Sequence, residues 1–370
     1  KFITVLCLAL AIFTFVPNVA EVFVPANYAV TVAEAAVSIS AKKKTLIKGQ
    51  SFTLKVKGTK KKVKWSSSNK AVASVTSKGK VSAKKKGTAT IKAKVGSKTY
   101  KCVVTVETPK LSKKKVTVIK GNTLTIKLNG TKQTVKWSSS DKTVATVKNG
   151  KITAKGVGTA TITAKVLGKS YTCSVTVKPI PVSVKNISAT YYDLGNGVIG
   201  VLKNNNKAAI EVEMRVLYYD ADGKLIDQNT NEIYCLSKGN TCALEVTGPY
   251  DSDYNSLPYS SYKVELKAEN ISESKLDYIK SIEVENTNTG SKVISHVTNT
   301  GDNKIEFTQL AIIFFDADGN AIGYDYHYAD VEQSGDTDYL NFEYPYDDNY
   351  DTVIPDSYRV YVNEAYSYNW

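Results

Sequence analysis

At 370 residues the chain is too long for one ordinary core and has the length of three or four small domains. Its net charge of +14 averages two opposite halves: residues 37–178 hold 35 Lys against only Glu107 and Asp141, a net of +33, whereas residues 179–370 hold 13 Lys or Arg against 31 Asp or Glu, a net of −18. Tyrosine divides the same way, with 21 of 24 after residue 179, and two histidines with no HExxH, no GxSxG and no Cys beside a base argue for two kinds of non-catalytic domain.

The amino end, residues 1–36, reads as a signal peptide and leader. Phe2 to Val16 is an apolar run of 15 residues behind Lys1, closed by Pro17 and Asn18. That is the length of an h-region and short of the roughly 20 residues a spanning helix needs. Ala33-Glu34-Ala35 offers a cleavage site and Val24-Pro25-Ala26 an alternative, while Cys7 lacks lipobox spacing. No later stretch is apolar enough to span, so the mature chain is expected to be exported without a transmembrane segment.

Next comes a repeat. VKWSSSN, Val63 to Asn69, returns as VKWSSSD, Val135 to Asp141, with Trp65 and Trp137 offset by 72 residues. Around each Trp the same order recurs: a lysine-rich strand, the Trp strand, a Ser turn, a Gly-Lys hairpin, a Gly-Thr-Ala-Thr strand and a closing strand with one Cys. Thr88 to Val95 alternates strictly, with Ala89, Ile91, Ala93 and Val95 on one face. A period of two marks a half-buried strand. Trp65 shares parity with Val63, so both Trp are expected inward, filling the centre between two sheets. Cys102 and Cys173 fall on the inward rows of their closing strands and are expected as buried free thiols. About seven short strands in some 70 residues read as a small β-sandwich.

These residues, VKWSSSNKAVASV through GKVSAKKKGTATIKAKV to YKCVVTV, resemble the bacterial Ig-like domain of group 2, over residues 37–108 and again over 109–178. The resemblance implies a spacer or adhesive module of surface and secreted proteins, without shared catalytic residues. Neither repeat contains Arg, and no aromatic residue interleaves with outward lysines, so specific nucleic-acid recognition is not expected. Two roles fit the lysines: protection of sheet edges and solubility, or attraction to anionic cell-wall polymers.

Lys178-Pro179-Ile180-Pro181 reads as a stiff linker into a second kind of unit, residues 179–272 and 273–370. VLYYDADGKLI, Val216 to Ile226, recurs as IIFFDADGNAI, Ile312 to Ile322, offset by 96. Each Asp-Ala-Asp-Gly suits a type I turn with a bulge between strands. A strand ending in an aromatic residue and Asp, then an Asp-Gly turn, resembles the FxLYD-type β domains of secreted bacterial proteins. Cys235 and Cys242 flank a turn at Ser237 to Asn240 and are expected to face each other across a hairpin, within reach of a disulfide. Gly195 to Gly200 spells GxGxxG, but a hairpin turn there leaves no helix for a dinucleotide phosphate. The Asp-Ala-Asp-Gly loops lack a Glu at the twelfth position and read as turns, not EF-hands. Two other loops mix Asp with Tyr, namely Asp251, Asp253 and Tyr254 in one copy and Asp347, Asp348, Tyr350 and Asp351 in the other. They are candidate binding loops for calcium, a sugar or a protein.

The sequence thus predicts an all-β chain of four small β-sandwich (Ig-like) domains in tandem after a signal peptide, with no cofactor and no catalytic site. The expected function is binding or spacing at the bacterial surface or outside the cell, with anionic cell-wall polymers, an extracellular glycan or a protein as partner. Basic-to-acidic self-association and a carbohydrate-binding accessory role beside an extracellular enzyme are the alternatives.

Overall fold

The computed structural model describes residues 36–347 and 349–369. The signal-peptide reading, Cys7 and Asp348 lie outside the described residues. The chain divides between Thr108 and Pro109 into two compact units. Among the described residues the regular structure is strand, apart from one-turn 3-10 helices at Val184–Asn186 and Ile279–Ser281.

The first unit contains β1 (Ser38–Ile39), β2 (Lys43–Ile47), β3 (Ser51–Thr53), β4 (Val56–Lys57), β5 (Lys64–Ser67), β6 (Ala73–Val75), β7 (Lys80–Ala83), β8 (Gly87–Val95) and β9 (Lys98–Glu107). One sheet runs β2-β9-β8-β5, with β2 parallel to β9 and the other pairs antiparallel; the facing sheet runs β3-β7-β6. Ala89, Ile91, Cys102, Val104 and Val106 from the larger sheet meet Leu54 and Val81 from the other side.

The second unit opens with the same plan. Its strands are β10 (Lys110–Leu111), β11 (Lys115–Ile119), β12 (Thr123–Thr125), β13 (Leu128–Asn129), β14 (Lys136–Ser139), β15 (Ala145–Lys148), β16 (Lys151–Ala154), β17 (Gly158–Val166) and β18 (Lys169–Lys178). They form sheets β11-β18-β17-β14 and β12-β16-β15, strand for strand those of the first repeat.

The repeated WSSS motif is consumed by this architecture. Trp65 and Trp137 are only half-buried, so the expectation that they fill the centre is corrected: each lies at the edge of its core, over the glycine of the Gly-Lys hairpin. A Cβ on Gly79 would sit 3.0 Å from the Trp65 ring and 2.4 Å from the Leu54 carbonyl, and Gly79 has φ of +79°. Only glycine meets both conditions. The hydroxyl of Ser67 donates to the Ala73 carbonyl at 2.6 Å, and that of Ser68 accepts from the Thr90 amide at 2.8 Å. Asn69 then caps the Ala71 and Val72 amides. The centre is occupied instead by Ile91 with Cys102, and by Ile162 with Cys173 in the copy, all four fully buried.

The acidic half follows. Its first sandwich has β19 (Ile187–Asp193), β20 (Gly197–Asn204), β21 (Ile210–Tyr219), β22 (Leu225–Leu236), β23 (Thr241–Thr247) and β24 (Ser261–Asn270), in sheets β19-β20-β23 and β22-β21-β24. Its second has β25 (Lys275–Asp277), β26 (Ile282–Asn288), β27 (Lys292–Asn299), β28 (Phe307–Phe315), β29 (Ala321–Tyr328), β30 (Thr337–Glu343) and β31 (Ser357–Tyr368), in sheets β26-β27-β30 and β25-β31-β28-β29. The expected hairpin at Ser237 to Asn240 is corrected: Cys235 ends β22 in one sheet and Cys242 lies on β23 in the other, so the turn carries the chain across the sandwich. Residues in different sheets are not ladder neighbours, and both thiols are free and buried.

The two acidic sandwiches are not separate beads. Ile199 and Ala243 of the first share a buried cluster with Ala311, Ile313, Phe315 and Ala321 of the second. The difference is written in two equivalent strands. β21 alternates buried and half-buried residues, with Glu211, Glu213 and Arg215 outward, whereas every residue of β28 from Thr308 to Phe315 is buried. A strand apolar on both faces needs cover on both.

Candidate functional site

Two surfaces and one cleft could meet a ligand. The first surface is the outward face of the β2-β9-β8-β5 sheet. There Lys64 stands directly opposite Lys94, and Lys92 opposite Lys101, all four exposed. In the second repeat Lys136 opposes Lys165. Like charges paired directly across strands cost about 0.2–1 kcal/mol each. Compensation by carboxylates is scarce, since residues 37–178 contain two acids. One of these, Asp141, is spent on its own turn, where bonds from the Thr143 hydroxyl and the Thr143 and Val144 amides hold its carboxyl below the usual range.

The second surface is the pair of Asp/Tyr loops. The carboxylate of Asp251 accepts from the amides of Asp253 and Asn255 at 2.9 Å each and from the Asn255 side chain at 3.0 Å. Asp347 accepts from the Asn349 and Asp351 amides at 2.9 Å each. Asp220 and Asp316 do the same in the Asp-Ala-Asp-Gly loops. All four are one five-residue turn, closed by its first Asp. The fourth residue is left-handed in each: Gly223 and Gly319 at φ of +76° and +82°, Tyr254 and Tyr350 at +63° and +64°. A side chain there costs roughly 1–2 kcal/mol, yet both Tyr rings stand in solvent, 87% and 88% exposed. The candidate residues Asp251, Asp253 and Tyr254 are thus gathered in one loop, and Asp347, Tyr350 and Asp351 in another, but their leading carboxylates serve as turn caps. Among the described residues no group of three or more His, Cys, Asp or Glu is placed to hold a metal.

The cleft lies where the acidic sandwiches meet, and depends on a bulge in β31. Gln309 pairs with Glu364 but Leu310 pairs with Val362, so Asn363 is an extra residue. A bulge of this kind re-aims side chains, and here consecutive residues Asn363 and Glu364 both reach the first sandwich. Asn363 accepts from the Ala243 amide at 2.9 Å and donates to the Ala243 carbonyl at 2.7 Å. Glu364, 4% exposed, takes the amides of Tyr234 and Cys235 on one oxygen, at 2.8 and 3.0 Å. Burial pushes its carboxyl up to about 7, against the pull of those amides and of Lys275. Lys275 is itself buried, its ammonium 3.1 Å from the Tyr234 carbonyl, 3.3 Å from Glu211, and 4.6–5.8 Å from the centres of Tyr234, Tyr366 and Tyr368. Tyr234 is pushed up to about 12, chiefly by its bond to Glu232.

Above this floor opens a hollow of about 380 Å³ walled by Glu213, Glu232, Tyr234, Tyr324, Tyr326 and Tyr328. A second hollow of about 380 Å³ continues past Tyr234, Tyr328 and Glu364 toward Phe307 and Tyr366. None of these residues was a sequence candidate. The visible signal was the alternation of Tyr324, Tyr326 and Tyr328 in YDYHY, which sets three rings on one face of β29. The four described cysteines are buried, and burial raises the thiols of Cys102 and Cys173 and carries that of Cys242 up to about 12, away from the nucleophilic thiolate.

Known proteins resemble parts of this chain. The κ-carrageenase of Pseudoalteromonas carrageenovora is 54% identical over 72 residues, 18% of this chain and 18% of that enzyme, so the chain covers under a fifth of that relative. Domains 4 and 5 of the S-layer protein SbsC are 28% identical over 31% of this chain and 70% of that one, with a TM-score of 0.17. An I-band fragment of titin covers 63% of this chain and 93% of its own at 14% identity, with a TM-score of 0.28. Residues 33–106, which span the first repeat, match the family model of the bacterial Ig-like domain (group 2).

Proposed function

We propose that this is a non-enzymatic bacterial surface or extracellular protein whose basic Ig-like repeats hold anionic polymers such as those of the cell wall. The acidic sandwiches, akin to FxLYD-type domains, then face a further partner. The observation that carries the reading is the register of lysine on lysine, Lys64 with Lys94 and Lys92 with Lys101. Edge protection accounts for Lys64 on the edge strand β5, but Lys92 and Lys101 oppose each other on the interior strands β8 and β9 of an outward sheet face, where a polyanion relieves the repulsion that folding imposes. A flat face of point charges suits an extended polymer without fixed geometry. The likeness to a carrageenase supports a setting among extracellular polysaccharides.

Sedimentation with purified cell walls at rising ionic strength tests this. Binding should be present at low salt, fall steadily as charges are screened, and drop further in a Lys64→Glu, Lys94→Glu variant. Binding that survives molar salt, or none at low salt, would sink the proposal.

A further inference from the structure

The geometry points to the cleft between the acidic sandwiches as a binding site for a neutral oligosaccharide. Three observations converge on it. Tyr324, Tyr326 and Tyr328 form a stripe along one strand, with neighbouring ring centres 6.3 and 6.0 Å apart. Tyr326 and Tyr328 stand edge to face at 87° to one another and remain 47% and 60% exposed, which leaves aromatic surface for the C–H faces of sugar rings. The stripe is also pre-set: the Tyr324 hydroxyl donates to the Ala243 carbonyl at 3.2 Å and Gln309 donates to the Tyr328 hydroxyl at 3.1 Å. A rigid aromatic wall loses little freedom on binding.

Second, the floor offers polar groups. Glu364 lines both hollows and uses one carboxylate oxygen, Oε2, for the Tyr234 and Cys235 amides. Thr230, which lines the first hollow, adds a hydroxyl that both donates and accepts, whereas the Asn231 side chain is engaged by the Glu245 carbonyl and the Glu232 amide. Such a mixture of stacking faces and paired donors and acceptors suits polyhydroxylated ligands. Two hollows of about 380 Å³ that share Tyr234, Tyr328 and Glu364 have room for more than one sugar unit, each within the usual range for small-ligand sites.

Third, charge sorts the ligand class. Glu213, Glu232 and Glu364 in a half of net charge −18 repel anionic glycans, the opposite of the lysine face. A cationic ligand would seek the aromatic cage, but that cage is already filled from within by the Lys275 ammonium over Tyr234, Tyr366 and Tyr368. An uncharged polyol is what remains. This site is independent of the lysine face, so either can fail alone.

Calorimetric titration of the full chain with cellotetraose, maltotetraose and N-acetylchitotetraose, with heparin and tetralysine as charged controls, tests it. At least one neutral tetrasaccharide should bind saturably, with affinity unchanged between low and high salt. Tyr326→Ala and Tyr328→Ala should each weaken it by about tenfold or more, a loss of about 1.4 kcal/mol per decade. Tyr326 and Tyr328 are 47% and 60% exposed, so both variants should stay folded, and Tyr328→Phe, which loses only the bond to Gln309 and keeps the ring, should bind nearly as the parent does. Tyr254→Ala and the Lys64→Glu, Lys94→Glu variant should bind as the parent does. No saturable binding of any neutral probe, undiminished binding in the Tyr326→Ala, Tyr328→Ala double variant, or a preference for tetralysine would each overturn the assignment.

Discussion

Replacing Glu364 by Gln should stabilise the acidic half in a pH-dependent way. In the folded chain this carboxyl is 4% exposed and its titration is raised from 4.5 to about 7, mainly by burial. The unfolded chain releases the proton near 4.5 while the folded one keeps it to about 7. The stability this group contributes is therefore fully present below about pH 4.5 and lost as pH rises through 7. At about 1.4 kcal/mol per pH unit, the loss by pH 8 amounts to roughly 2–4 kcal/mol. Gln keeps an acceptor for the Tyr234 and Cys235 amides but carries no charge. Urea unfolding followed by the near-ultraviolet signal of the tyrosine-rich half should thus give similar midpoints for parent and Glu364→Gln at pH 4.5, diverging in favour of the variant by pH 8. A difference that does not change with pH would refute the reasoning. Glu364→Ala is the control, losing stability at every pH because it strands two buried amides.

Thr308 Oγ1 is a buried atom without a hydrogen-bond partner, the one such side-chain atom among the described residues. Thr308→Val should raise stability by about 1 kcal/mol, read from the same urea titration. Gly79→Ala should cost the first repeat roughly 2–3 kcal/mol, since it forces a side chain into a left-handed residue and against the Leu54 carbonyl. In a unit of this size that is a fall in melting temperature of about 10 °C or more by scanning calorimetry. Cys102, Cys173, Cys235 and Cys242 should resist a thiol-specific reagent in the native chain and react fully in urea, and a reductant should leave the melting curve unchanged.

How much of this could be read from residues depended on the range of the forces involved. Strand parity is local, so Ala89, Ile91, Ala93, Val95, Cys102 and Cys173 lie inward as their alternation predicts. The repeat offsets of 72 and 96 likewise reappear as repeated sheets. Trp65 was misplaced because parity gives a face and not a depth; its seat over Gly79 is set by the hairpin. Cys235 and Cys242 misled because the same short turn can close a ladder or cross between sheets, and the choice is made by Asn204, whose amide side chain binds the Leu236 and Ser237 carbonyls. The packing of the two acidic sandwiches was legible in TQLAIIFF against VEMRVLYY, apolar on both faces where its copy is charged on one. The cleft was not legible, because it needs the bulge that turns Asn363 and Glu364 the same way.

That bulge bears on solubility as well as on recognition. β22 and β23 are each one edge of the first sandwich's two sheets, and their outward amides and carbonyls, left uncovered, would accept a strand from any other chain. Asn363 occupies both backbone groups of Ala243, and Glu364 occupies the amides of Tyr234 and Cys235. Two side chains thus imitate a missing neighbour strand at both edges. A chain that loses the second sandwich, by cleavage or truncation, would expose those edges together, and the fragment left behind should grow by adding strands.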